Sequence, residues 1–141
     1  MDAKDLLKAL KSHTGYFIQI QGDSTMYKGW KLSIQGKTLE DSKFLFDNLI
    51  GLLLSTKANF KFATQKLIDL KHAQQSTKLL TVYVPDDVDP ESYAELVKLN
   101  LSSYEGADGI KTPESYTPYS AQLGIYFRND RNEDGEYIPA N

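Results

Sequence analysis

The hydrophobic residues of this chain follow two spacings, one typical of helices and the other typical of strands. Apolar side chains three or four positions apart predict helices over residues 2–12 and 39–55, after Thr64, and from Pro90 to about Leu101. Alternation of apolar and polar side chains predicts strands over residues 16–21, 30–34, 59–63, 78–84 and 123–128. This order predicts an α+β fold: a single compact domain with a mixed or antiparallel sheet and helices mainly on one face.

Capping and turn residues mark several boundaries of these elements. Thr38 is a good helix N-cap, and Asp41 three residues later makes an acidic variant of the capping box. Residues 89–90, Asp-Pro, give the last helix an N-cap followed by a proline at its first position. The turn residues 22–24 predict a hairpin that returns through Met26 and Tyr27 into the strand at 30–34.

The composition limits the classes of function that the chain can have. Its 141 residues are enough for one domain, residues 1–141, and the net charge of −3 argues against a nucleic-acid or membrane partner. A local basic cluster remains compatible with that charge. The absence of cysteine excludes disulfides and cysteine-ligated zinc. The N-terminus lacks the apolar core of a signal peptide, so we expect a cytoplasmic protein.

Metal and cofactor motifs are nearly absent from the sequence. The two histidines, His13 and His72, lie at predicted helix ends and belong to no metal-ligand spacing. Residues 130–135 copy the first half of a calcium loop, but Asn141 stands where the bidentate glutamate is needed. A solvated acidic tail over residues 130–141 is therefore the default interpretation. We predict neither a metal nor a cofactor.

Polar side chains recur on one face of three predicted strands. They are Lys31 and Ser33 on the first strand, Lys61 on the second, and Thr81 and Tyr83, together with Leu79, on the third. We predict that these strands lie side by side and present Lys31, Lys61 and Tyr83 to one pocket. The alternative is that these side chains simply point into water, and alternation alone does not separate the two.

Four short runs, in the same order and spacing, carry a resemblance to a known family. They are Gly-Trp-Lys-Leu-Ser-Ile at 29–34, Phe-Lys-Phe-Ala at 60–63, Lys-Leu-Leu-Thr-Val-Tyr-Val-Pro-Asp-Asp at 78–87, and Tyr-Phe-Arg at 126–128. Over residues 16–129 the chain resembles the N-terminal lyase domain of class III and IV lanthipeptide synthetases, which is similar to the phosphothreonine lyases of pathogenic bacteria. The resemblance implies a cofactor-free β-elimination of phosphate from phosphoserine or phosphothreonine.

The resemblance also implies roles for individual residues. Lys61 falls on the general base, Lys31 on the lysine that supports substrate charge, and Tyr83 on the pocket tyrosine. Arg128 falls on a phosphate-binding arginine, and Lys78 and Ser33 are further candidate binding residues. Because a lysine must be neutral to accept a proton, neighbouring cations in a poorly hydrated cleft would help such a base.

Two positions depart from the family pattern. Ser33 stands where the family has its general-acid histidine, and a hydroxyl is a poor proton donor at neutral pH. Ala73 stands where the family has a second phosphate-binding arginine. His72 is the one realistic substitute for the acid in the middle of the chain.

Three functions follow from these observations. The first is a degenerate lyase-like domain that binds a phosphorylated or acidic protein as an inhibitor or adaptor, in a bacterium or an infected cell. The second is an active phosphoserine or phosphothreonine lyase. The third is a protein contact through the loop at 103–121, where Tyr104, Tyr116 and Tyr119 are of the type enriched at interfaces.

Overall fold

The computed structural model describes residues 2–25, 28–71, 77–110, 116–130 and 136. Its elements in chain order are α1 (Ala3–Ser12), β1 (Phe17–Ile20), β2 (Trp30–Gly36), α2 (Leu39–Ser55), β3 (Asn59–Ala63), α3 (Gln65–Lys71), β4 (Thr77–Tyr83), α4 (Pro90–Asn100), β5 (Thr117–Ser120) and β6 (Ile125–Asn129). The predicted α+β class is confirmed.

The six strands of the described chain form one sheet in the order β1-β3-β4-β2-β6-β5. Every pair of neighbours is antiparallel. Since β3, β4 and β2 are consecutive in this order, the prediction that these three strands lie side by side is confirmed.

One face of the sheet carries the hydrophobic core. Its fully buried members on the central strands are Leu32, Ile34, Phe60, Phe62, Leu80 and Val82. They pack in one cluster with buried residues of the helices, including Leu10, Leu45, Leu49, Tyr93 and Val97. Alternation along the strands therefore leaves the opposite face to the intervening, mostly polar residues.

The capping box at Thr38 is present and fixes the start of α2. The Thr38 hydroxyl accepts a hydrogen bond from the backbone N–H of Asp41, and the Asp41 carboxylate accepts one from the backbone of Thr38. Leu54 lies about 100° around this helix from Leu53, which faces the core, and its side chain is exposed. Among the described residues, no helix is long and apolar enough to cross a membrane.

The predicted hairpin between the first two strands is wrong, because β1 pairs with β3 at the edge of the sheet. The segment after β1 instead crosses the ends of β3 and β4. The Gly22 N–H donates to Asn59 Oδ1, and the Ser24 N–H donates to the Lys57 carbonyl. A side chain at Gly22 would overlap the Lys57 carbonyl, so only glycine permits this approach. Residues 26–27 lie outside the described part of the chain.

Residues 103–121 contain a strand that the sequence pattern did not predict. β5 pairs with β6 through the turn at 121–124, where Gly124 has a φ of +70°. Pro118 lies in β5, and proline, which has no N–H to donate, is tolerated in a strand at the edge of a sheet. Because of this proline and the shortness of the strand, the sequence pattern did not indicate the hairpin.

Candidate functional site

Four cationic side chains on four neighbouring strands converge opposite the hydrophobic core. They are Lys61 on β3, Lys78 on β4, Lys31 on β2 and Arg128 on β6, and we call them the cationic face. The register sets Lys31 directly across from Tyr83 on one side and from Arg128 on the other. Lys61 lies across from Thr81. The structure thus brings together the predicted residues Lys31, Lys61, Tyr83 and Arg128.

Lys61 is held between two aromatic rings. Its Nζ lies 4.2 Å from the ring centroid of Phe17 and 5.9 Å from that of Tyr83. Phe17 comes from the neighbouring edge strand β1, whose residues 17–20 pair with β3. Rings at these distances attract an ammonium group and restrict the region that it samples. The Lys61 amine is therefore directed over the same face as Lys31.

Lys78 reaches the cationic face because β4 contains a bulge. Ile34 pairs with Leu80 and Gln35 pairs with Lys78, so Leu79 is an extra residue on β4. The expectation that Leu79 shares the face of Thr81 and Tyr83 is wrong, since its fully buried side chain packs in the hydrophobic core. Strict alternation does not hold across a bulge.

The cations of this face repel one another. Burial, followed by repulsion from Lys31, Lys61, Arg128 and Lys71, lowers the pKa of Lys78 to about 8. The pKa of Lys31 is also lowered, chiefly by burial; Asp130 opposes the shift, and Arg128 and Lys61 add to it. Burial and mutual repulsion both disfavour the charged forms of these two lysines, so an anion bound beside them would be favourable.

Asp130 brings a carboxylate to the cationic face. Its Oδ2 lies 3.7 Å from Lys31 Nζ, and both side chains are nearly buried. Its backbone N–H donates to the Gly29 carbonyl, which continues the alignment of the end of β6 with the start of β2. At this residue the expectation of a solvated acidic tail is wrong. Residues 131–135 and 141, on which the calcium-loop interpretation depends, lie outside the described residues.

Two buried polar side chains lie beside the cations on β2. Ser33 and Gln35 are fully buried, and the Ser33 Oγ and both amide atoms of Gln35 make no hydrogen bond to any described residue. Such groups in folded proteins are usually satisfied by a protein group or by an ordered water. Gln35 was missed by the sequence reasoning, although alternation from Lys31 and Ser33 would have placed it on this face.

The three tyrosines expected at an interface make internal contacts. Tyr104 is buried, stacks on Phe44 and donates its hydroxyl to the Gln35 carbonyl. Tyr116 is buried, with Lys78 Nζ 4.7 Å from its ring centroid. The Tyr119 hydroxyl donates to the Glu95 carboxylate, which raises the Tyr119 pKa to about 12. Their role as anchors for a protein partner stays a prediction.

Other candidate sites fit the sequence predictions less well. His72 and Ala73 lie outside the described residues. Within the described ranges, no group of three His, Cys, Asp or Glu side chains is arranged to hold a metal ion. A groove of about 600 Å³ runs beside Trp30 and Phe127, and its lining carries both signs of charge, from Asp89, Glu91 and Arg128.

Comparison with known proteins indicates a fold relationship. No protein-family model matches this chain, and a search of curated proteins finds no match. Among solved structures, the type III effector and phosphothreonine lyase OspF from Shigella flexneri matches with a TM-score of 0.62 and 16% identity, over 92% of this chain and 78% of that chain. The phosphothreonine lyase SpvC, an effector from Salmonella, matches with a TM-score of 0.62 and 16% identity, over 92% of this chain and 76% of its own. The chain therefore has the fold of these phosphothreonine lyases, as the sequence resemblance implies.

Proposed function

We propose that this chain binds a phosphorylated serine or threonine segment of a partner protein through the cationic face. The complex would serve an inhibitory or adaptor role, since the chain would hold the segment without converting it. The observation that carries the proposal is the convergence of Lys31, Lys61, Lys78 and Arg128 on one sheet face of a chain whose net charge is −3.

The charge balance of this face supports an anionic ligand. Three lysines and Arg128 lie close enough to act on one another, and the Asp130 carboxylate lies against Lys31. A phosphate monoester carries about −1.5 to −2 charges at neutral pH and three acceptor oxygens. It can therefore contact several cations at once, and hydrogen bonds between ionised partners are about twice as strong as neutral ones. The Ser33 hydroxyl is a neutral donor beside them.

Binding without conversion is favoured by the residue at position 33. An elimination needs a group that protonates the departing phosphate, and loss of such a group typically costs about 10²–10⁴-fold in rate. Ser33 is a poor proton donor, and its fully buried side chain is short. The cations would hold the phosphate, while the side chain at position 33 would supply no proton to the step that releases it.

A second candidate function is β-elimination, and the place of Lys61 on the cationic face, across from Thr81 and near Lys31 and Lys78, favours it. In that reaction a neutral Lys61 amine takes the proton from Cα of phosphothreonine. The Cα–H electron pair then forms the Cα=Cβ double bond as the Cβ–O bond breaks. Phosphate leaves with the electrons of that bond and takes a proton from an acid.

One titration experiment tests the binding proposal. Isothermal titration calorimetry would compare a phosphothreonine peptide with its unphosphorylated form and with a form that carries glutamate at the same position. We expect the phosphorylated form to bind at least tenfold more tightly than the other two, and Lys31→Ala to lose most of the affinity for it. Lys8→Ala, in which an exposed lysine of α1 is removed, is the matched control and keeps that affinity. Equal affinity for the three peptides contradicts the proposal.

Mass spectrometry of the same mixtures separates binding from elimination. Elimination removes the phosphate group together with the threonine oxygen and leaves a dehydrated residue in the peptide. We expect the phosphothreonine peptide to keep its mass. A dehydrated product that disappears in Lys61→Ala would replace the binding proposal with the lyase.

A further inference from the structure

Lys78 owes its place on the cationic face to one extra residue. Without the bulge at Leu79, strict alternation would place Lys78 on the side of Leu80 and Val82, in the hydrophobic core. Bulges redirect individual side chains and often lie beside functional sites. This bulge adds a fourth cation to the three that straight strands bring together.

The surroundings of Lys78 hold its amine within this face. The Nζ lies 4.7 Å from the ring centroid of Tyr116, and it is repelled by Lys31, Lys61 and Arg128. Across β2, its register partner Gln35 has a buried amide that makes no hydrogen bond to any described residue. A cation in an already positive region, beside an unsatisfied amide, is a costly arrangement unless an anion binds there.

We infer that Lys78 contacts the phosphate and makes the cationic face select a phosphate dianion over a carboxylate. The inference rests on the proposed function and assigns its specificity to one residue. Asp130 already supplies one carboxylate, at Lys31. A second carboxylate would carry one charge and two oxygens, and three cations would then share it. A phosphate has a higher charge and a third oxygen, so each of these three cations, Lys78 among them, can contact an oxygen of its own.

The binding of two peptides to three variants tests this specificity. The peptides carry phosphothreonine or glutamate at the same position, and the variants are Lys78→Met, Lys78→Arg and the exposed control Lys98→Ala. Lys78→Met should weaken phosphopeptide binding on the order of tenfold to 100-fold, the range for one lost bond between charged groups. It should change glutamate-peptide binding by less than about threefold, a small fraction of that range. Lys78→Arg should keep most of the preference, and Lys98→Ala all of it.

The outcomes distinguish the inference from the proposed function. If the wild type prefers the phosphopeptide and Lys78→Met keeps the same preference, Lys78 is not the selecting residue, while the binding function stands. If the wild type binds the two peptides equally, the inference about Lys78 and the proposed binding function are both overturned. Near-ultraviolet circular dichroism of each variant checks its fold. Should Lys78→Met be misfolded, Lys78→Gln takes its place, because it keeps a polar end without the charge.

Discussion

Lys31 and Asp130 form an ion pair at the cationic face, with 3.7 Å between Lys31 Nζ and Asp130 Oδ2. Both side chains are nearly buried, and they come from adjacent strands, at the start of β2 and just after the end of β6. The carboxylate lies where a bound phosphate would meet the same lysine. Asp130 favours the charged form of Lys31, and in the proposed complex it would compete with the phosphate for that charge.

Removing the charge of Asp130 should strengthen phosphate binding. In Asp130→Asn the amide keeps the shape but no longer compensates Lys31, so phosphothreonine-peptide affinity should rise about fivefold, as expected for ~1 kcal/mol between screened charges. Calorimetric titration at constant ionic strength measures the change. Asp108→Asn, at an exposed carboxylate, is the control. Weaker binding would mean that Asp130 mainly positions Lys31.

Replacing Tyr104 should lower stability and leave binding unchanged. Tyr104→Phe removes the hydroxyl that donates to the Gln35 carbonyl, a buried bond whose loss costs about 1–3 kcal/mol in free energy of unfolding. Urea denaturation monitored by fluorescence measures it. Tyr16→Phe, at an exposed ring, should cost much less. An unchanged stability together with a lost protein contact would support the interface role instead.

Removing the cap of α2 tests whether the helix layer and the cationic face are independent. Thr38→Ala deletes one half of the capping box and should lower the free energy of unfolding by about 1 kcal/mol. Phosphopeptide affinity should stay within twofold of the wild type, because the cap lies outside the cationic face. A large loss of affinity in a folded variant would show that the two regions are coupled.

The lowered pKa of Lys78 predicts a specific pH dependence of stability. Its folded-state pKa is about 8 and its unfolded value about 10.5, so between these values the unfolded state binds more protons. The free energy of unfolding should therefore rise with pH in this window. The destabilisation caused by the charged Lys78 is fully present below pH 8 and is gone above pH 10.5. The charged groups that act on Lys78 are Lys31, Lys61, Arg128 and Lys71.

The measurement compares two proteins, because other lysines and tyrosines titrate in the same range. The free energy of unfolding is measured for wild type and Lys78→Met at pH 7.5 and at pH 10. The advantage of Lys78→Met over wild type should shrink as the pH rises. A stability advantage that stays constant or grows with pH would mean that the charge on Lys78 does not destabilise the folded protein.

The sequence predicted those features that depend on local chemistry. The bounds of α2 followed from the Thr38 cap and its apolar spacing, and β3 from the alternation around Lys61. The shared face of Lys31, Lys61 and Tyr83 followed from alternation once the strands were neighbours. These properties are determined within a few residues, so a single sequence is enough to indicate them.

The features that were missed depend on long-range pairing. β1 pairs with β3 because the chain after Gly22 crosses the sheet end, a contact between residues far apart in sequence. The bulge at Leu79 is visible only when β4 is set beside β2. Asp130 follows the last strand, and its burial depends on the neighbouring strand that carries Lys31. None of these has a local signature in composition or spacing.

The most direct test of the cationic face is a nuclear magnetic resonance titration of the isotope-labelled protein with an unlabelled phosphothreonine peptide. Chemical-shift changes should concentrate on strands β2, β3, β4 and β6, around Lys31, Lys61, Lys78 and Arg128. The unphosphorylated peptide should cause little change at the same concentrations. Changes that fall on α2 and α4, or that are the same for both peptides, would contradict the account.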